Sequence, residues 1–273
     1  MAYATYEQGG QRQVGEVQGS TLVPLNGLEE IGAAIDLDVL AAATRMTDSA
    51  VDIDSVRLLP VVPNPSKIFC VGLNYREHVT ESKRELPTYP VLFAKYADSL
   101  LGAFDNIVLP PESSQVDYEG ELTVVIGRGG RRISEDDALD HVLGYTVAND
   151  ITMRDFQYKT HQWMQGKAWD GSTPLGPYLV TPGEVDLDHA GIRTVLNGET
   201  VQESDLSMLI FSIPRLIATI STFTTLRPGD LILTGTPGGV GYRRDPQLFL
   251  KDGDEVSVEI DGVGSIRNLI RAH

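Results

Sequence analysis

A β-strand is predicted for residues 116–127, whose sequence is VDYEGELTVVIG. Because successive side chains of a strand point to opposite faces, Glu119, Glu121, Thr123 and Val125 share one face of it. Two carboxylates side by side on a partly buried strand repel each other and lose hydration unless something neutralises them. A divalent cation would do so, and hard oxygen ligands suit magnesium, manganese or calcium. The alternative is an edge strand whose two glutamates face water.

Composition narrows the class of protein. The chain has 273 residues, of which 41% are hydrophobic and 22% charged, and this is typical of a globular protein with a sizeable core. A net charge of −16 without a basic stripe argues against binding to nucleic acid. The single cysteine, Cys70, excludes an intrachain disulfide, and its apolar neighbours predict a buried thiol. We expect no targeting segment, no membrane span and therefore a cytoplasmic protein.

Two domains are predicted, a small N-terminal domain over residues 1–62 and a catalytic domain over residues 63–273. The first contains short strand-like segments and an alanine-rich helical stretch over residues 28–45. A proline-rich segment, residues 60–65, then forces an extended linker. Many short strands, few helices and frequent glycine turns follow it. This pattern favours a β-rich barrel or roll of the α+β class over an alternating βαβ array.

Three further elements are clear enough to place residues on them. A buried strand over residues 142–149 delivers Asp150 at its end. The dipeptide Asn197-Gly198 between two strand-like runs is a strong hairpin signal. A helix is predicted over residues 207–223, with Ser212 as a plausible N-cap and Pro214 in the first turn.

Other candidate functional residues each have an ordinary structural alternative. His78 and Glu81 can touch on one helical turn, where the carboxylate would raise the basicity of the imidazole, or they can belong to a solvated helix face. Lys167 lies among small and aromatic residues that suit a partly buried ammonium, although lysine is a surface residue by default. The glycine-rich loop over residues 235–241 lacks a P-loop lysine, but its backbone N–H groups and the Thr236 hydroxyl suit a substrate carboxylate.

Taken together, these motifs occur in the order found in one family. The motifs are Asn74-Tyr75 with His78 and Glu81, Glu119-Gly120-Glu121-Leu122, the run from Asp150 to Asp155, Gly166-Lys167 with Asp170 and residues 174–177, and the loop over residues 235–241. On these motifs the chain, from about residue 67 to residue 270, strongly resembles the fumarylacetoacetate hydrolase family. The resemblance is to its branch of acylpyruvases and 2-hydroxyhepta-2,4-diene-1,7-dioate isomerases.

The resemblance implies a mixed β-roll core with a small N-terminal domain, usually in a homodimer, and a bound magnesium or manganese ion. It also assigns site residues by position: Glu119, Glu121 and Asp150 as metal ligands, His78, Glu81 and Lys167 as catalytic residues, and Arg154, Gln157 and Thr236 as substrate-binding residues. The implied substrate is a small dicarbonyl acid.

The expected function is hydrolysis of a carbon–carbon bond in a 2,4-dioxo acid of the acylpyruvate or fumarylpyruvate type. Such an acid can chelate the cation through its carboxylate and 2-keto oxygens, which polarises the dicarbonyl group. His78, oriented by Glu81, would activate the attacking water, and Lys167 would stabilise the oxyanion. Cleavage would leave a pyruvate enolate on the metal.

Alternative functions use the same residues. Decarboxylation of oxaloacetate needs the same chelation but no activated water, and isomerisation of a ring-cleavage dienoate of the 2-hydroxyhepta-2,4-diene-1,7-dioate type is also open. A metal-binding protein without turnover is the alternative from a different class. The presence of His78, Glu81 and Lys167 beside the metal set argues against that last alternative.

Overall fold

The computed structural model describes residues 1–76 and 85–273, and these contain mostly β-strands. In chain order the strands are β1 (Ala2–Gln8), β2 (Gln11–Gln18), β3 (Thr21–Pro24), β4 (Val51–Asp52), β5 (Arg57–Leu58), β6 (Ile68–Gly72), β7 (Val91–Lys95), β8 (Leu100–Leu101), β9 (Ile107–Leu109), β10 (Val116–Asp117), β11 (Gly120–Ile126), β12 (Val142–Asn149), β13 (Thr152–Met153), β14 (Thr173–Val180), β15 (Gly191–Leu196), β16 (Glu199–Asp205), β17 (Leu231–Leu233), β18 (Glu255–Ile260) and β19 (Gly264–Ala272). The α-helices of the described part are α1 (Leu37–Ala42), α2 (Arg154–Gln157), α3 (Met164–Lys167) and α4 (Ile213–Phe223). None of these helices is long and apolar enough to span a membrane.

The strands form one large mixed sheet, a second sheet of five strands and a two-stranded ribbon. The large sheet has the order β4-β3-β2-β1-β14-β12-β11-β17-β6-β7, with β5 paired to β1 and β8 to β14. The second sheet has the order β16-β15-β18-β19-β9, and β10 pairs with β13. The pairing is antiparallel except between β17 and β6, β14 and β8, and β19 and β9. The predicted β-rich α+β fold is confirmed.

Strand β11 lies in the middle of the large sheet. It pairs with β12 on one side and with β17 on the other, and all of its residues are buried. Leu122 and Val124 pack into one apolar core, whereas Val125 packs into another on the opposite face. The alternation predicted for this segment is therefore correct. The alternative of an edge strand with exposed glutamates is excluded.

The N-terminal strands continue the large sheet instead of standing apart from it. Strand β1 pairs with β14, and Tyr3 and Val14 share a core cluster with Ile68 and Val125. The boundary between residues 62 and 63 stays a prediction about domain organisation. The structure adds that both sides of that boundary are joined by backbone pairing and by one core.

The predicted helical stretch over residues 28–45 is mostly wrong, because only Leu37–Ala42 is helical. Asp36 has an extended backbone and caps this helix by accepting a hydrogen bond from the Val39 amide, so the helix cannot extend upstream. Ile31 and Ile35 are instead buried in irregular structure, in the core cluster that contains Val125. Burial of these side chains decided the local structure against alanine propensity.

The helix predicted over residues 207–223 begins later than expected, at Ile213. Ser212 caps it as predicted, since its hydroxyl accepts a hydrogen bond from the Arg215 amide. Residues 206–208 form only a single 3₁₀ turn, and Asp205 caps that turn separately. Pro214 has no N–H, and its ring would clash with the carbonyl four residues earlier if the helix continued upstream.

The predicted hairpin is confirmed between β15 and β16. Asn197 and Gly198 have φ values of 52° and 84°, which is the left-handed pair that a tight two-residue turn requires. The hairpin places Gln202 of β16 in the interior, where it is 2% exposed.

Helix α4 contributes several side chains to the core cluster that contains Leu122 and Val124. We therefore expect Leu216→Ala to lower the free energy of unfolding by about 2–5 kcal/mol. Leu216 is fully buried in the cluster that contains Leu122 and Val124. The neighbouring variant Arg215→Ala is the control, because it removes only an exposed ion pair to Glu135 and should cost less than about 1 kcal/mol. Urea denaturation of both variants measures the difference, and equal losses would contradict this account of the core.

Candidate active site

Three buried carboxylates meet where β11 and β12 lie side by side. Each of Glu119, Glu121 and Asp150 places an oxygen within 4.8 Å of the others. The antiparallel register pairs Gly120 with Asn149, which brings the start of β11 next to the end of β12. The Asp150 amide also donates to the Glu119 carbonyl at 2.8 Å. The structure therefore brings together the three residues that the sequence predicts as metal ligands.

These carboxylates are costly to bury together. Burial, and then the charges of Asp150 and Glu119, raise the pKa of the Glu121 carboxyl well above its ordinary value. Within the described residues, the Gly235 amide, at 2.8 Å, is the hydrogen-bond donor to Glu121. A cluster of hard oxygen donors with excess negative charge fits a magnesium or manganese ion. The three side chains can thus hold such an ion, and their electrostatics favour one.

Two buried lysines lie against the same cluster. The Lys167 ammonium donates to Glu119 Oε2 at 2.6 Å and to Asp150 Oδ2 at 2.7 Å. The Lys95 ammonium donates to Asp150 Oδ1 at 2.6 Å from the end of β7. Burial disfavours the charged form of Lys167, but the charges of Asp150 and Glu119 outweigh it and keep the pKa above its ordinary value. In this cluster the Lys167 ammonium is charged and donates hydrogen bonds to two carboxylates.

Lys95 was not among the residues predicted from the sequence. Its signal is weak, because a lysine that ends an apolar strand is usually taken as the point where the strand reaches solvent. In the structure it is 2% exposed and its partner is 55 residues away along the chain. The pairing of β7 with β6, of β6 with β17 and of β17 with β11 places it on the same sheet as the strand that precedes Asp150.

Arg154 is held by carboxylates inside the protein. Its guanidinium contacts Asp117 Oδ2 through Nε at 2.8 Å and Glu119 Oε1 through Nη2 at 2.6 Å, and it donates to Gln157 Oε1 at 3.0 Å. Burial opposes its charge, but Asp117 and Glu119 more than compensate and raise the pKa of Arg154. Arg154 lines the cleft and pairs with Glu119, and its role in substrate binding stays a prediction.

Asp117 is a second residue that the sequence prediction missed. One carboxylate oxygen accepts from the Gly241 amide at 2.8 Å, and the other accepts from the Tyr242 amide at 3.0 Å and from Arg154. It thereby joins the end of the glycine-rich loop to the carboxylate cluster. The signal was available, because Asp117 precedes Glu119 by two residues and so belongs to the same alternation.

A cleft opens above the carboxylates. Its walls are aromatic and cationic, and they include the side chains of Phe93, Tyr158, Trp163, Thr236, Tyr242 and Arg243. The rings of Phe93 and Trp163 meet edge to face at 5.7 Å between centroids, and those of Tyr158 and Tyr242 lie 5.2 Å apart. Glu119, Glu121, Gln157 and Lys167 also line this cleft, so most of the described residues predicted for the substrate and the metal face one space.

Arg243 differs from the other cations of the cleft. Its guanidinium carbon lies 5.3 Å from the centre of the Tyr242 ring, and the structure shows no carboxylate partner for it in residues 1–76 and 85–273. It is half-buried, whereas Lys95, Arg154 and Lys167 are each committed to carboxylates of the cluster. The sequence analysis did not single it out.

The predicted catalytic pair His78 and Glu81 lies in residues 77–84, outside the described part of the chain. Their roles stay predictions. Cys70 is buried, as predicted, and its pKa is raised well above the ordinary value by burial and then by the charges of Asp150 and Glu121. It is therefore kept as a neutral thiol.

Comparison with known proteins gives the family. The family described as fumarylacetoacetate (FAA) hydrolase C-terminal matches residues 67–271. Oxaloacetate tautomerase fahd2, mitochondrial, from Xenopus laevis is 48% identical over 217 residues, which are 78% of this chain and 68% of that protein. Oxaloacetate tautomerase FAHD2A, mitochondrial, from Homo sapiens is 46% identical over 218 residues, 79% of this chain and 69% of that protein.

Solved structures agree with the fold. Fumarylacetoacetate hydrolase from Exiguobacterium antarcticum superposes with a TM-score of 0.87 and 34% identity, covering 100% of both chains. The 2-hydroxyhepta-2,4-diene-1,7-dioate isomerase from Mycobacterium marinum superposes with a TM-score of 0.83 and 33% identity, covering 100% of this chain and 98% of that one.

These relatives correct one expectation and confirm another. The predicted cytoplasmic location is contradicted, since relatives at 46–48% identity are named as mitochondrial proteins. A compartment address is read by receptors, so the composition of a folded domain does not reveal it. The predicted resemblance is correct: the match over residues 67–271 and the identity to these relatives show that the chain belongs to the fumarylacetoacetate hydrolase family, a family of enzymes.

Proposed function

We propose that this protein is a divalent-metal-dependent tautomerase that interconverts the enol and keto forms of oxaloacetate or a closely related 2-oxo dicarboxylate. The observation that carries the proposal is the 46–48% identity, over 78–79% of the chain, to proteins named oxaloacetate tautomerase. The sequence alone favoured carbon–carbon hydrolysis of an acylpyruvate. The names of the relatives favour oxaloacetate, which was the substrate of one alternative, and a reaction without hydrolysis.

The charges of the site support a dianionic substrate. The site contains four buried carboxylates (Asp117, Glu119, Glu121 and Asp150) and three buried cations (Lys95, Arg154 and Lys167), and each cation forms an ion pair with at least one of Asp117, Glu119 and Asp150. The cluster therefore has a net formal charge of −1 without a metal ion and +1 with a divalent one. Arg243 adds a further positive charge at the wall of the cleft. Two positive charges match the two carboxylates of oxaloacetate, whereas an uncharged acyl chain would leave Arg243 without a partner.

The proposed mechanism assigns one role to the metal ligands and another to Lys167. A divalent ion held by Glu119, Glu121 and Asp150 would supply Lewis acidity toward the 2-oxo group. Conversion of enol to keto breaks the enol O–H bond and forms a C3–H bond, so one proton is lost by oxygen and one is gained by carbon. The protonated Lys167 is suited to donate a hydrogen bond to that oxygen as its charge develops.

Movement of the proton to C3 is assigned to His78, with Glu81 supporting the imidazole, as the sequence suggests. Gln157 and Thr236 would orient the carboxylate nearest to the metal. The dicarbonyl-acid substrate and the homodimer remain predictions from the family resemblance. A second candidate function is isomerisation of a ring-cleavage dienoate, which the likeness to the Mycobacterium marinum isomerase favours and which also moves a proton between carbon and oxygen.

The activity is tested by following the loss of enol absorbance from oxaloacetate with magnesium or manganese, and then with excess chelator. A tautomerase speeds approach to the keto form without releasing carbon dioxide or pyruvate. Stoichiometric pyruvate and carbon dioxide would instead indicate a decarboxylase. Cleavage of acetylpyruvate to pyruvate and acetate, with oxaloacetate unchanged, would restore the hydrolase interpretation and overturn this proposal.

Arg243→Ala is expected to lower kcat/KM for oxaloacetate by about tenfold to a hundredfold, the usual worth of a hydrogen bond to a charged group. Because the arginine would contact only the second carboxylate, turnover of a monocarboxylate such as phenylpyruvate enol should change little. The matched control is Arg271→Ala, which removes an exposed arginine outside the cleft. Equal losses on both substrates would contradict a role in recognising the second carboxylate.

Glu121→Gln tests two properties separately: whether burial of the Glu121 charge destabilises the protein, and whether Glu121 binds the metal ion. The neutral amide removes one of the like charges whose burial is unfavourable, so the melting temperature in EDTA should equal or exceed that of the wild type. The stabilisation by magnesium, about 2.7 kcal/mol at a hundred times Kd, should be largely lost. Glu259→Gln, on an exposed ion pair with Arg193, is the control. The measurement is the melting temperature of each variant with and without magnesium. An increase on adding magnesium that is as large in Glu121→Gln as in the wild type would exclude Glu121 as a metal ligand.

A further inference from the structure

Gln202 connects the metal cluster to the glycine-rich loop through a buried amide. It belongs to β16 of the second sheet and is 2% exposed. Its Oε1 accepts hydrogen bonds from the Gly120 amide at 3.0 Å and from the Thr194 hydroxyl at 2.8 Å. Its Nε2 donates to Thr236 Oγ1 at 2.8 Å and to the Pro237 carbonyl at 3.0 Å. The amide oxygen thus accepts two hydrogen bonds, and the amide nitrogen donates both of its hydrogens.

The orientation of this amide is fixed by two backbone groups. The Gly120 N–H can only donate, and the Pro237 carbonyl can only accept. Reversing the amide would place two donors together at Gly120 and two acceptors together at Pro237, which is unfavourable at a buried site. Gln202 Nε2 must therefore face Thr236, and the Thr236 oxygen must accept its hydrogen.

The hydrogen bond from Gln202 determines how the Thr236 hydroxyl is oriented. With its oxygen already accepting from Gln202, Thr236 has its own hydrogen to donate, and no acceptor for that hydrogen is found in residues 1–76 and 85–273. Thr236 is 4% exposed, and it lines the cleft together with Glu119, Glu121 and Lys167. The hydrogen can therefore be donated to an anionic ligand in that cleft.

We propose that Gln202 is a positioning residue that fixes Thr236 as a hydrogen-bond donor to a carboxylate of the substrate. This inference rests on the proposed function in that it takes the ligand to be a 2-oxo acid. Gln202 itself does not line the cleft, so its effect on a ligand passes through Thr236. The same amide accepts a hydrogen bond from Gly120, the residue between Glu119 and Glu121. Gln202 therefore links the position of the Thr236 hydroxyl to that of the two glutamates.

The test measures binding of oxalate, an unreactive dianion with the carboxylate geometry of a 2-oxo acid, by calorimetry at saturating magnesium. Thr236→Val keeps the shape of the side chain but removes the donor, and we expect it to weaken oxalate binding by about tenfold. Gln202→Met should weaken binding to a similar extent, because no donor then holds the Thr236 oxygen and the hydroxyl hydrogen loses its fixed direction. Thr236→Ser, which retains the hydroxyl, should stay within about threefold of the wild type.

The double variant Gln202→Met/Thr236→Val separates positioning from a general loss of structure. If Gln202 acts through Thr236, the double variant binds oxalate no more weakly than either single variant, which is strong non-additivity. Thr194→Val is the matched control, since it removes a hydrogen bond to the same amide but leaves Nε2 unchanged. Its oxalate Kd should remain within about twofold of the wild type, even if its stability falls. Should Gln202→Met not fold, Gln202→Glu carries the same test, because it keeps an acceptor for Gly120 and presents an acceptor to Thr236.

The outcomes distinguish the two proposals. Wild-type oxalate affinity in the Gln202 variant together with weak binding by Thr236→Val would overturn the positioning role and leave the proposed function intact. Additive losses in the double variant would also overturn it. Failure of the wild-type protein to bind oxalate with magnesium and to turn over oxaloacetate would overturn the proposed function, and the inference about Gln202 with it.

Discussion

The burial of three carboxylates within 4.8 Å of one another is the constraint on which the rest of the site depends. Like charges in a low-dielectric interior repel strongly, because the interior screens them less than bulk water does. Buried cations compensate part of this negative charge: Lys167 pairs with Glu119 and Asp150, Lys95 pairs with Asp150 and Arg154 pairs with Glu119. The result is a compact charged cluster that is close to neutral and that a divalent ion makes positive.

The fold supplies the rigidity that this cluster requires. Strand β11 is central in the large sheet and buried on both faces, so Glu121 in the strand and Glu119 directly before it are both held inside the protein. Gln202 then connects the glycine-rich loop to Gly120 of this strand, and Asp117 of β10 binds the Gly241 amide at the end of the loop. Gly239 in this loop has a φ of +97°, and a Cβ there would lie 2.2 Å from the Val201 carbonyl oxygen. Such close backbone contact keeps the loop and the second sheet in register at the cleft.

The arrangement also accounts for how one scaffold supports several reactions in its family. The carboxylate cluster and Lys167 suit any substrate with adjacent carboxylate and keto oxygens. The walls of the cleft select the remainder of the substrate beyond those two groups, and here they are aromatic with a cation, Arg243, that no described carboxylate neutralises. Under the proposed function, the loop after Val240 and the segment around Tyr158 select the substrate, whereas the carboxylate cluster and Lys167 serve the reaction.

Local patterns in the sequence were enough to determine the alternation of β11, the position of Asp150 after β12, the Asn197-Gly198 hairpin and the cap at Ser212. Each of these depends on neighbours within a few residues, and propensity and period act at that range. Only the tertiary structure decided that residues 28–45 would not form one long helix, and that Lys95, Asp117 and Gln202 would serve the site. Gln202 lies 82 residues from Gly120 along the chain, and a polar side chain has no role until long-range strand pairing selects its partners.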